Sequence, residues 1–277
     1  ELDLLVTVAS VQICFGVLVF APIWIFGKRP AYEPRVWYAR YHRVAWMHGL
    51  GNVASVCAFA TGAVSFVHVV KAAEPLFTAF FAYKMLVGYT VTKDMLVSLA
   101  VIIIGVSMSS LAEATFHWST LFWALASNAL YQMRIVLAKK EMQTGTGTGL
   151  DYSHIPTTVI NTSSTGDKDD TAGSGQDTHS SAEQSIPPAT LFRIITLLAS
   201  WQLIPLALLT EGWKMQPAWQ AAVTTGISAN YLLFNLILSG VFYYLYNEIA
   251  FWVLDIVSPV SHAIGNSLKR VVVIIAS

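Results

Sequence analysis

Two adjacent cationic residues lie in an apolar segment near the end of this 277-residue chain. Lys269 and Arg270 are followed directly by the sequence Val-Val-Val-Ile-Ile-Ala-Ser. A charged side chain at mid-bilayer depth costs about 3 kcal/mol or more, and it usually faces a water-filled cavity or an ionic partner. The nearest acidic residue in the sequence is Asp255, about 21 Å away along a helix. We therefore expect the two cations to bind an anionic ligand, the alternative being that they reach the membrane surface.

A third cation occurs in a segment that resembles the first. The segments Val64–Lys71 and Val257–Lys269 both contain Val-Ser-x-Val, then a histidine and then a lysine on the same helix face. They fall in spans that cross the membrane in opposite directions, as in an inverted repeat, whose substrate site lies at the midplane between the halves. We expect Lys71 to bind the same anion, the alternative being an ion pair with Glu74. The two histidines, His68 and His262, are compatible with core packing as well as with substrate contact.

Composition indicates what kind of protein holds these cations. Apolar residues make up 55% of the chain and charged residues 12%, about half the charged fraction of soluble domains. Mean hydropathy is +0.57, and apolar runs of about 20 residues, enough to cross a bilayer, recur along most of the chain. The sequence predicts an all-α polytopic membrane protein. Cys14 and Cys57 are far apart in sequence and are expected to be free.

The apolar runs predict eight transmembrane spans. They are Leu4–Phe26, Val44–Thr61, Val64–Val87, Met95–Ala112, Trp118–Ala138, Ala189–Leu209, Ile227–Tyr246 and Phe251–Ser277. The loop after the first span is rich in arginine, and by parity the same side receives Lys139-Lys140 and a short turn at Asn247-Glu248. The positive-inside rule places this side in the compartment equivalent to the cytoplasm.

Residues 143–188 differ from the rest of the chain. They are rich in Ser, Thr and Gly and contain six acids and one lysine, which leaves the remainder with a net charge of about +5 because the total is zero. Such a composition cannot bury enough apolar surface to fold alone. We expect a disordered acidic loop between a first transmembrane half, residues 1–142, and a second half, residues 189–277.

Four stretches of sequence carry a more specific pattern. They are Val64–Pro75, Ala126–Arg134 followed by Lys139-Lys140, Tyr246-Asn247, and Ser258–Arg270. Together they resemble the plastid phosphate-translocator family of the drug/metabolite transporter superfamily. The resemblance implies a ten-helix fold of two inverted five-helix repeats, with the first and last helices absent from this chain. It also implies an antiporter that exchanges inorganic phosphate for phosphorylated C3 compounds (triose phosphate, 3-phosphoglycerate, phosphoenolpyruvate) across a plastid envelope membrane by alternating access.

The resemblance also implies a set of substrate-binding residues. They are Lys71, Lys269, Arg270, Tyr246, Arg134, Asn52 and Ser55. The first three match phosphate-binding cations, Tyr246 matches the aromatic hydroxyl that contacts the organic part, and Arg134 matches the arginine of the sixth family span. Asn52 stands where triose-phosphate members have a histidine and is closer to the phosphoenolpyruvate type, and Ser55 matches a hydroxyl one turn later. Without the resemblance, these last four are equally compatible with interfacial anchoring or helix packing.

Other functions remain open at this point. A pentose-phosphate, hexose-phosphate or nucleotide-sugar transporter would share the fold, and a channel would share the membrane architecture. A membrane enzyme is disfavoured because the sequence has no P-loop, no His-Glu-x-x-His motif and no Asp-rich motif within a span. We expect small phosphates and the lipid bilayer as partners, and no cofactor, metal or nucleic acid.

Overall fold

The computed structural model describes residues 4–26, 34–112, 116–144, 187–224 and 228–276. These residues form nine α-helices. They are α1 (Leu5–Phe26), α2 (Pro34–Thr61), α3 (Val64–Lys71), α4 (Glu74–Met85), α5 (Lys93–Ala112), α6 (Trp118–Thr144), α7 (Pro188–Thr224), α8 (Ala229–Ile256) and α9 (Pro259–Ala276). The predicted acidic loop falls almost wholly on residues 145–186, which lie outside the described residues, so its disorder and the two-half division stay predictions.

Each predicted span contains a helix or, for the third, a pair of helices. By length and composition, four helical segments are apolar enough to cross a membrane: α1, α3 with α4, α7 and α8. The expected turn at Asn247-Glu248 is wrong, because α8 continues through it as far as Ile256. The chain turns instead at Val257-Ser258, directly before Pro259. A proline is tolerated in the first turn of a helix but not in its interior, whereas an Asn-Glu pair does not end a helix.

The third span is broken in the middle, between Lys71 and Glu74. Pro75 lies in the first turn of α4, where its missing N–H leaves no bond unmade. The break frees backbone carbonyls that need partners inside a membrane. The carbonyl of Val70 accepts a hydrogen bond from Asn128 Nδ2 of α6 at 3.0 Å, and that of Ala72 accepts one from Ser267 Oγ of α9 at 3.1 Å. The break is therefore held by two neighbouring helices.

Helix α9 runs antiparallel to the broken span. Near its start, Val260 packs in one cluster with Ala79 of α4. Further along, Ser267 contacts Ala72 and Arg270 pairs with Glu74, so the start of α9 lies beside the middle of α4 and its second half lies at the break. These contacts agree with the opposite directions predicted from the repeated motif, and the inverted repeat stays a prediction.

The largest apolar core joins α1, α2, α6, α7 and α8. Close approach of α1 and α8 depends on two glycines: a Cβ at Gly16 would lie 2.7 Å from Tyr244, and one at Gly240 would lie 2.6 Å from Phe15. A polar contact also joins α7 to the start of α1. The Glu211 carboxylate of α7 accepts from the backbone N–H groups of α1 at 2.7 and 3.0 Å, as an anion at a helix N-terminus should. This packing fixes the helices that carry the candidate site.

Candidate functional site

Lys71 ends α3 at the break and is almost completely buried, at 3% exposure. Its Nζ donates a hydrogen bond to Ser127 Oγ of α6 at 2.5 Å. It also lies 5.3 Å from the centre of the Tyr131 ring and 6.0 Å from that of Phe59, within the range of cation–π attraction. Lys71 does not form the ion pair with Glu74 that was the alternative to anion binding. Lys71 is therefore a buried cation with neutral partners.

Arg270 meets Glu74 across the interface between α9 and α4. The two side chains form an ion pair, and the guanidinium is 11% and the carboxylate 4% exposed. Sequence proximity pointed to Asp255 as the nearest acid, whereas the acid that pairs with Arg270 comes from a helix 196 residues away. The antiparallel packing of α9 on the broken span makes this pair possible.

Lys269 lies on a different side of α9 and is exposed. Its Nζ is 3.7 Å from the centre of the Tyr246 ring on α8, a close cation–π contact. The Tyr246 hydroxyl, on a side chain 41% exposed, donates to Asn266 Oδ1 at 3.0 Å. Tyr246, Asn266 and His262 line a cavity of about 260 Å³ between α8 and α9.

The three predicted phosphate-binding cations lie near one another. Helix α9 carries Lys269 and Arg270 and packs on the break that follows Lys71, where Ser267 bonds to the Ala72 carbonyl and Arg270 pairs with Glu74. Repulsion between like charges in a low-dielectric interior is unfavourable unless an anion lies among them. The fold thus gathers cations from two distant segments into one polar cluster that suits an anionic ligand.

Arg134 forms a second buried cationic centre on α6. Its Nη1 is hydrogen-bonded to His48 Nδ1 at 2.8 Å and donates to Asn247 Oδ1 at 2.9 Å, while its Nε has no partner among the described residues. The guanidinium lies 5.1 Å from the Tyr131 ring centre and 5.3 Å from that of Phe251. No carboxylate of the described residues forms an ion pair with it. Arg134 is only 4% exposed, so it does not have the exposed position that an interfacial anchor would need.

Asn52 belongs to a chain of polar side chains that links α2, α6 and α8. Its Oδ1 accepts from the Tyr131 hydroxyl at 3.2 Å, which in turn lies 3.1 Å from the Tyr243 hydroxyl. Its Nδ2 donates to the Ala9 carbonyl at 3.1 Å and to Gln12 Oε1 at 3.2 Å. The predicted residue Ser55 is partly buried one turn later on α2. The network connects Asn52 to both cationic centres through Tyr131.

Ser127, Tyr131 and His48 belong to this cluster but were not predicted. Ser127 and Tyr131 share one face of α6 with the predicted residue Arg134, at spacings i, i+4 and i+7, and that spacing was a signal that could have identified them. His48 lies within the predicted span Val44–Thr61, and its local sequence gave no such signal. Two larger cavities of the described residues, about 950 and 670 Å³, have apolar linings and contain none of the candidate residues. Within the described residues, no group of His, Cys, Asp and Glu is arranged to hold a metal ion.

Comparison with known proteins shows the family to which this chain belongs. A sequence model described as the Triose-phosphate Transporter family matches residues 2–163 and 177–277, which is nearly the whole chain. The chain belongs to the triose-phosphate transporter family. The drug/metabolite transporter fold of that family is therefore the fold of this all-helical, multi-pass membrane protein.

Relatives within the triose-phosphate transporter family are named as plastid transporters. The chain is 32% identical over 274 residues to phosphoenolpyruvate/phosphate translocator 2 of Arabidopsis thaliana, covering 98% of the chain and 61% of that relative. It is 33% identical over 231 residues to a Zea mays triose phosphate/phosphate translocator, covering 83% and 46%. A xylulose 5-phosphate/phosphate translocator of Arabidopsis thaliana is 27% identical over 272 residues, covering 97% and 55%. The chain thus spans roughly half to three fifths of the length of these relatives.

Proposed function

We propose that this protein exchanges inorganic phosphate for phosphorylated C3 compounds across a plastid envelope membrane. The observation that carries the proposal is the packing of α9, with Lys269 and Arg270, on the break that follows Lys71, through the Ser267–Ala72 hydrogen bond and the Arg270–Glu74 ion pair. A phosphate dianion needs several donors to replace its hydration shell, and the planar fork of an arginine combined with two lysines provides them. The names of the relatives, which include phosphate translocators for phosphoenolpyruvate and triose phosphate, support the same cargo.

The organic part of the cargo would lie towards Arg134, Tyr246 and Asn52. A buried guanidinium without a carboxylate partner is costly, and an anionic group on the cargo would compensate for it. Phosphoenolpyruvate and 3-phosphoglycerate carry such a carboxylate, whereas a triose phosphate carries a carbonyl. We infer that phosphorylated carboxylic acids are preferred, in agreement with the asparagine at position 52.

Exchange rather than net transport follows from the charges of the empty site. Without cargo, cations of two different helices would have to move through a low-dielectric environment while they repel one another. A bound phosphate removes most of this repulsion and allows the two halves of the fold to rock around the site. The mechanism requires no covalent step.

Counter-exchange in proteoliposomes made from the full-length protein tests this proposal. Labelled phosphate should enter vesicles loaded with phosphate or phosphoenolpyruvate, and it should hardly enter empty vesicles. Lys269→Gln should abolish the exchange, since it removes one of the three predicted phosphate-binding cations. Substantial uptake into empty vesicles would exclude strict exchange and favour a channel.

The second candidate function is exchange of pentose phosphates. The similarity to a xylulose 5-phosphate/phosphate translocator favours it over hexose phosphates and nucleotide sugars. Competition of 3-phosphoglycerate, dihydroxyacetone phosphate, phosphoenolpyruvate, xylulose 5-phosphate and glucose 6-phosphate against phosphate uptake separates the candidates. Strongest competition by xylulose 5-phosphate would replace the C3 proposal.

A further inference from the structure

Glu74 is a buried acid at the phosphate site to which the transport mechanism above gives no role. It begins α4 directly after the break that follows Lys71, and it is 3% exposed. Its Oε1 pairs with Arg270 Nη2, and its Oε2 has no hydrogen-bond partner among the described residues. An ionisable residue inside a membrane protein is costly and is commonly functional. An acid placed among cations that bind an anion also works against that binding, so its presence needs a reason.

The charges around Glu74 supply that reason. Lys71, Lys269 and Arg270 contribute three positive charges, and Glu74 contributes one negative charge. No other carboxylate of the described residues forms an ion pair with any of the three cations. The cluster therefore carries a net charge of +2, which one phosphate dianion neutralises. Without the acid, the same dianion would leave a positive charge unpaired in a low-dielectric site.

We propose that Glu74 is a built-in counter-ion that matches the site to a doubly charged phosphate group by cancelling one of the three cationic charges. The inference rests on the proposed function and concerns the same site. It makes Glu74 a positioning residue, since it acts on the cargo through Arg270. It predicts that a site with one more positive charge prefers a cargo with more negative charge.

The test compares anions of different charge as competitors. Purified full-length protein is reconstituted, and uptake of labelled phosphate into phosphate-loaded vesicles is inhibited with sulfate or with pyrophosphate, which carries more negative charge at neutral pH. Both competitors lack a carboxylate. Glu74→Gln keeps the shape of the side chain and raises the site charge by one, so the preference for pyrophosphate over sulfate should rise about tenfold, or about 1.4 kcal/mol.

Glu248→Gln is the matched control. Glu248 of α8 also forms a partly buried pair with an arginine, Arg193 Nη2 at 2.7 Å, but that arginine is not one of the three cations of the cluster. The control should leave the competitor ratio unchanged, within about threefold. An unchanged ratio in Glu74→Gln, or an equal change in Glu248→Gln, would overturn the inference.

A double variant separates charge from the identity of the residue. Glu74→Gln combined with Arg270→Gln restores the charge count of +2. Because loss of a phosphate-binding cation stops exchange, the ratio is measured for this variant as relative binding of pyrophosphate and sulfate, from their thermal shifts in detergent, and it should return towards that of the wild type. A ratio that stays shifted would refute charge matching. If Glu74→Gln alone yields no folded protein, Arg270→Gln is compared with the double variant by the same binding measurement. These two variants also differ only at position 74, so the ratio should again move about tenfold towards pyrophosphate in the double variant.

The wild-type protein distinguishes failure of this inference from failure of the proposed function. No phosphate exchange by the wild type would refute the proposed function itself. Normal exchange by the wild type with an unchanged ratio in Glu74→Gln would refute the role of Glu74 alone.

Discussion

Replacing Arg134 with glutamine should affect transport much more than stability. The substitution removes a buried cation, which relieves about 3 kcal/mol of the cost of placing a charge inside the membrane. Glutamine is shorter and keeps only one of the two hydrogen bonds to His48 and Asn247. Leaving one buried polar group unsatisfied costs about 1–3 kcal/mol. These two effects largely cancel, so we expect the unfolding temperature in detergent to change by only a few degrees.

The effect of Arg134→Gln on cargo preference should be large. A hydrogen bond between a guanidinium and a carboxylate is worth about 1.5–3 kcal/mol, which corresponds to a factor of about 10 to 150 in affinity. Competition by phosphoenolpyruvate against phosphate uptake should weaken by at least about tenfold. Exchange of phosphate for phosphate should change by less than about threefold, because inorganic phosphate has no carboxylate to lose.

The assay measures both quantities on the same preparation. Thermal unfolding is recorded in detergent, and competition is measured in phosphate-loaded proteoliposomes. Arg193→Gln is the control, because it breaks the pair with Glu248 and should lower the unfolding temperature while the cargo ranking stays the same. A drop of about 10 °C or more for Arg134→Gln with an unchanged ranking would refute the reasoning and make Arg134 a structural residue.

Three further predictions concern the neighbouring residues. Asn52→His should shift the competition ranking from phosphoenolpyruvate towards dihydroxyacetone phosphate, and an unchanged ranking would remove Asn52 from the specificity-determining residues. Ser127→Ala removes the hydrogen-bond acceptor of Lys71 and should change the half-saturation constant for phosphate by about three- to tenfold; a change confined to thermal stability would contradict this. Gly240→Val should lower the unfolding temperature by several degrees, because the added Cβ would lie 2.6 Å from a side chain of α1. Gly105→Ala, where nothing lies within 4 Å, should have no such effect.

Much of the fold was predictable because membrane insertion imposes local rules. Apolar runs of bilayer length located the helices, and the prolines at positions 75 and 259 located a break and a helix start. Helix ends were harder to predict. The turn expected at Asn247-Glu248 is helical, since Asn247 bonds to Arg134 and Glu248 to Arg193. Polar residues that would end a span in lipid are satisfied there by neighbouring helices.

The sequence by itself determined which charges stand in apolar segments. Lys71, Lys269 and Arg270 are conspicuous because their neighbours are apolar, and charge in an apolar segment is a local property. Only the tertiary structure decided which partners these charges have. The antiparallel packing of α9 on α4 brings Glu74 to Arg270 across 196 residues of sequence, and it leaves Lys71 with a serine and Lys269 with an aromatic ring. Partners of buried charges depend on which helices touch, and local sequence does not specify that contact.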